Sequence, residues 1–163
     1  MADNVTVLFE NLGAMLTNQV WSWGAVHSDN GSVFLRIWQD KIGSYRKFFP
    51  SGTFCDPSTM VCYIGCHDRN IVPDRLGWIE RKEHIDLIKN GAQGWGIQLT
   101  AKKSGSGVKD EPHDRRGISS FDNKNIWKFG EIFVAEDPYG GGEDYWVTLI
   151  GRPKISSLLD KNK

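Results

Sequence analysis

Between residues 19 and 40 the chain has little choice but to fold back on itself. Ser28-Asp29-Asn30-Gly31 combines side chains that bond their own backbone with a glycine that takes positive φ, which is hairpin chemistry. A turn centred on Asp29-Asn30 sets Trp21 opposite Trp38, Trp23 opposite Arg36, and Ala25 opposite Phe34. Strand side chains alternate between faces, so these six residues share one face. Val20, Ser22, Gly24, Val26, Val33, Leu35 and Ile37 occupy the other. The second face is aliphatic and reads as the core side. The first is aromatic around one arginine, and is expected to stay at least partly free for a ligand.

The rest of the chain supplies further short elements. Val7, Leu8, Leu12, Met15 and Leu16 recur at helical spacing behind Asp3 or Asn4 as caps, which predicts a helix over 3–16. A second helix is expected over 80–90, stopped by Gly91. Strands are expected over 59–66, 94–102, 127–135 and 144–151, the last two joined by a Gly-rich turn from Asp137 to Gly142. Residues 41–57 read as loop, with a basic-aromatic stretch Tyr45-Arg46-Lys47-Phe48-Phe49. Residues 154–163 read as a polar tail or linker. The expected class is α+β: a curved, mainly antiparallel sheet or partly closed β-barrel flanked by two or three helices, forming one binding domain over 1–153.

With 163 residues, 39% hydrophobic and 25% charged, the chain is globular and long enough for a real core. Lys plus Arg equals Asp plus Glu at 20 each, so net charge neither points to nor excludes a nucleic-acid partner. Three cysteines make no disulfide framework and favour a reducing compartment. The N-terminus has no basic n-region, and no apolar run approaches the ~20 residues that cross a bilayer. A cytoplasmic protein without membrane contact is expected. Cys55, Cys62, Cys66 and His67 follow the spacing C-x6-C-x3-C-H. That lacks the paired knuckle of zinc motifs, so no metal and no cofactor are expected.

Seven tryptophans are unusual in a domain of this size. Indoles and a nearby arginine suit a flat ligand, since bases stack on aromatics at ~1–3 kcal/mol each. Trp21, Trp23, Arg36, Trp38 and Trp95 are therefore the candidate base pocket. The stretch KKSGSGVKDEPHDRRG over 102–117 is Gly/Ser-rich and basic, and Lys102, Lys103, Lys109, His113, Arg115 and Arg116 are candidate phosphate and DNA contacts. His67-Asp68 and His113-Asp114 could be written as a base with its carboxylate. Neither has a nucleophile or paired metal carboxylates in sight, so no catalytic residue is assigned. A small hydrolase or nuclease using His67 or His113 is the alternative, as is a protein-interaction domain docking through its aromatic face.

Val20-Trp21-Ser22-Trp23, the segment from Val33 to Asp40 and the segment from Gly94 to Lys102 are similar to regions of the PUA superfamily, which includes the EVE, ASCH, YTH and SRA domains. The resemblance lies in architecture, a helix followed by this hairpin and a curled sheet. It implies a reader that takes a modified base, flipped from duplex DNA, into an aromatic pocket, or that recognises a modified backbone. It also implies that such a reader is the specificity module of a modification-dependent restriction system, with its nuclease on another domain or subunit.

Overall fold

The hairpin turn is stitched by its own side chains. Nδ1 of His27 accepts the backbone N–H groups of Asp29 (3.0 Å) and Asn30 (3.1 Å). Asn30 Oδ1 accepts the Ser32 N–H at 2.8 Å, and Gly31 takes φ 74. The strands that leave it pair Gly24 with Leu35, Ala25 with Phe34 and Val26 with Val33. This is the register implied by a turn centred on Asp29-Asn30, and the Arg36 N–H extends it by bonding Trp23 O at 2.8 Å.

A computed structural model of the chain describes residues 5–14, 16, 23–68, 76–101, 118–136 and 142–161. Within them lie α1 (Val5–Asn11), β1 (Gly24–Val26), β2 (Val33–Trp38), a 3-10 turn (Gln39–Lys41), β3 (Ile42–Ser44), α2 (Tyr45–Phe48), β4 (Met60–Asp68), α3 (Leu76–Lys89), β5 (Gly94–Ala101), β6 (Ile118–Phe121), β7 (Trp127–Glu136), β8 (Gly142–Gly151) and α4 (Ile155–Lys161). The strands form one mixed sheet ordered β1-β2-β5-β7-β8-β4-β3, with β6 added on β5. The β2–β5 pair is parallel, from Val33↔Gly94 to Trp38↔Leu99. The other pairs are antiparallel. The class is α+β with a curved, mostly antiparallel sheet, as the pattern of short strands implies, and the sheet does not close into a barrel.

Curvature brings β2 and β4 towards each other, and α3 fills the gap between them. β1 runs along β2 only as far as Leu35, and β3 runs along β4 only as far as Cys62. Just beyond both ends sits Arg81 of α3, 6% exposed. Its Nε donates to Ile64 O (2.7 Å), one terminal nitrogen to Trp23 O (3.2 Å) and the other to Arg36 O (3.0 Å). One guanidinium thus bridges the chain on both sides of the open seam. Burial lowers its pKa to about 10, which leaves it a cation at neutral pH.

Inside the curl, α3 contributes Ile85 and Ile88 to a core built with Leu35, Ile37, Phe129 and Val147. The opposite face of the β1–β2–β5 region carries a second core. There Phe34, Ile97 and Leu99 lie with Phe9 and Leu12 from the α1 region, and with Ile155 of α4. In β5, Trp95, Ile97 and Leu99 belong to this second core. The intervening Gly94 and Gly96 leave room for the Phe129 ring: a Cβ on Gly96 would stand 2.5 Å from Ile37 Cδ1 and 2.7 Å from Phe129 Cε1. Gly96→Ala is therefore expected to destabilise the domain by about 1–3 kcal/mol through overpacking, measured by urea unfolding. A change below 0.5 kcal/mol would mean that the ring can move aside.

Several expectations need correction. The first helix ends at Asn11 because Gly13, at φ 80, turns the chain. Ala14 N–H then reaches Phe9 O and Gly13 N–H reaches Glu10 O, both at 3.0 Å, the double bond of a Schellman cap. Gly91, at φ 112, closes α3 in the same way, as expected. Residues 41–57 are not plain loop but contain β3 and α2, while β6 is an additional strand. Residues 154–163 are not simply a polar tail. They include α4, whose Ile155 is 2% exposed and whose Leu158 packs on the same cluster.

Candidate nucleic-acid interface

The hairpin face expected to be free is largely occupied. Ala25 and Phe34 are buried at 4% and 3% exposure in the second core. Trp38 and Trp95 are half-buried against that cluster. Trp23 does not join them. It lies just before β1, where its carbonyl is held by Arg36 and Arg81, and its ring packs against the inner core. Arg36 is half-buried, and burial lowers its pKa. The aliphatic face is not the sole core face, because the α1 region and α4 cover part of the other. Trp21, Lys102, Lys103, Lys109, His113, Arg115 and Arg116 lie outside the described residues. So do the side chains of Cys66 and His67. Cys62 is fully buried, and burial pushes its thiol pKa up to about 12. Its Sγ donates to Tyr63 O at 3.2 Å.

The aromatic concentration lies elsewhere, on three adjacent strands. Phe133 of β7 pairs with Trp146 of β8, which pairs with Tyr63 of β4, so pairing alone sets the three rings in a row across the sheet. The segment 45–58 covers them. Ser44 caps α2 by accepting the Lys47 N–H on its Oγ at 3.3 Å. Phe48 and Phe49 then bring their ring centroids to 4.9 Å from that of Trp146. Tyr45 stacks on Phe49, and its hydroxyl accepts the Phe54 N–H at 3.1 Å.

Two features of this cluster stand apart from an ordinary core. Phe54 is 46% exposed, yet stacks on Phe133 at 4.4 Å and 22°. Trp146 is 8% exposed, and its indole N–H has no hydrogen-bond partner among the described residues. Cations stand at the rim, with Lys41 Nζ 5.9 Å from the Tyr63 ring and Lys47 Nζ 5.3 Å from the Phe48 ring. Exposed Arg46 lines an open depression with Ser44, Asp56, Pro57 and Ser58.

A second aromatic-basic arrangement joins the start of β7 to the end of β8. Arg152 lies over the Trp127 ring at 4.6 Å and donates to Asp122 Oδ2 at 2.7 Å. Trp127 Nε1 donates to Gln98 Oε1 at 3.0 Å. Asp122 also accepts the backbone N–H groups of Lys124 and Asn125. These bonds and the Arg152 cation outweigh its burial and hold its carboxyl below the usual range.

Compared with known proteins, the chain matches no family model, no curated protein and no solved structure. Among the described residues, no group of three or more His, Cys, Asp and Glu side chains is placed to hold a metal ion. No described helix is long and apolar enough to cross a membrane.

Proposed function

We propose that this chain is a nucleic-acid reader that accepts a modified base of duplex DNA against the aromatic row Phe133–Trp146–Tyr63, as the specificity module of a modification-dependent system. The observation that carries the reading is the buried, unpartnered N–H of Trp146. Leaving such a donor unpaired costs about 1–3 kcal/mol, a cost that makes sense where a ligand supplies the acceptor. The ligand must then be flat enough to stack on the rings and carry an acceptor at its edge. A nucleobase meets both requirements. Phe54 holds the position on Phe133 that an incoming ring would take, and its half-exposed side chain sits on a segment of Pro, Ser and Gly residues. A base reaches this row only by leaving the duplex. This is the mode implied by the resemblance to PUA-type readers, on different residues from the hairpin face.

Trp146→Phe tests it, because it removes the unpartnered donor while keeping an aromatic ring in place. Relief of the unpaired N–H offsets part of the packing lost, so stability should fall by less than about 3 kcal/mol, while affinity of the folded protein for the preferred duplex falls about tenfold, or ~1.4 kcal/mol. The measurement is fluorescence anisotropy across duplexes with different base and backbone modifications, with salt varied. Unchanged affinity in Trp146→Phe for every duplex that wild type binds would remove the pocket from consideration.

A further inference from the structure

We infer that a second site, formed by Lys124, Arg152 and Lys154, grips the phosphodiester backbone of the same nucleic acid; this rests on the reader assignment above. The segments that carry these three cations are brought together by the backbone. Lys128 pairs with Gly151, and Asn125 forms an isolated bridge with Lys154. Ile126 N–H bonds Pro153 O at 3.0 Å, and Ile155 N–H bonds Lys124 O at 2.8 Å. Two chain segments, 122–128 and 151–154, thus lie side by side. Besides Lys128, which faces the other side of the sheet with Trp95, they contain these three cations and a single carboxylate, Asp122. Lys124, Arg152 and Lys154 are exposed.

Asp122 organises the site more than it neutralises it. Its two oxygens are taken by the turn N–H groups and by one nitrogen of Arg152. This leaves the lysines without a partner of that kind in these segments, and it holds the guanidinium over Trp127, with Cζ 4.6 Å from the ring centroid. The N–H groups that Asp122 and Gln98 do not engage are donors for phosphate oxygens. A row of lysines beside a fixed arginine is suited to a repeating anion rather than to a single one.

The test uses the full chain, a fluorescein-labelled duplex of about 12 base pairs and the double variant Lys124→Glu/Lys154→Glu. Both lysines are exposed, and an unchanged melting curve serves as the folding control. Affinity at low salt should fall at least tenfold for all sequences alike. The slope of log affinity against log salt should flatten by about one to two. Trp146→Phe, in contrast, should lower affinity without changing that slope. If wild type binds and the double variant binds equally well with the same slope, the backbone site is overturned and the pocket reading survives. If wild type binds no duplex, both fall. If the double variant instead loses binding to phosphatidylserine vesicles while its duplex affinity is unchanged, the patch is a membrane contact and the inference is overturned.

Discussion

Replacing Arg81 by methionine should cost the domain about 3–5 kcal/mol, a large part of the 5–15 kcal/mol that stabilises a typical domain. The loss comes from the seam. Methionine fills similar space, but three carbonyls, of Trp23, Arg36 and Ile64, lose a charged donor where neither β1 nor β3 continues. Lysine should rescue only in part, because an ammonium keeps the charge but cannot present three donors in one plane. Urea unfolding at pH 7.5 measures the effect. A loss under 1 kcal/mol for Arg81→Met would show that the strands close the seam without the guanidinium.

The second large effect is a pH dependence centred on His84, one turn along α3 from Arg81. His84 is 6% exposed, and its Nδ1 has no hydrogen-bond partner among the described residues. Burial first, and the Arg81 cation second, lower its pKa from 6.5 to about 4. In the unfolded chain the imidazole titrates near its ordinary value, so between pH 6.5 and 4 the unfolded state takes up a proton that the folded state refuses. The stabilising contribution is complete above pH 6.5, falls through this window and levels off below pH 4. Across the window the loss is about 3 kcal/mol. Other carboxylates titrate at the acid end, so the informative quantity is the difference between wild type and His84→Leu. The variant should be nearly as stable at pH 7.5 and lose markedly less on going to pH 4.5. Equal slopes for the two proteins would contradict the assignment.

Where interactions are local, the chain could be read directly. The centre of the turn at Asp29-Asn30 sets the hairpin register, because each pairing follows from it by counting. The same counting from the turn between Asp137 and Gly142 puts Phe133 opposite Trp146. Two of the three rings of the aromatic row were therefore legible. Counting cannot say which face of a hairpin is covered. That depends on α1 and α4 arriving from distant parts of the chain, and Ile155-Ser-Ser-Leu158 is too brief a pattern to announce a docked helix. Arg81 was hidden for a different reason. Glu80-Arg81-Lys82-Glu83 looks like a solvated helix face, and only the approach of β2 and β4 turns one of those charges inward.

A seam joined by a side chain also constrains the order in which the protein can assemble. The parallel pairing joins Val33 to Gly94, so β2 must wait for roughly sixty intervening residues before it gains its inner neighbour, a topology that folds slowly. During that wait the hairpin and β4 present open edges, which invite pairing with other chains. Arg81 cannot occupy those edges until α3 has docked between them. Refolding yield should consequently depend on protein concentration far more than the stability of the finished domain does.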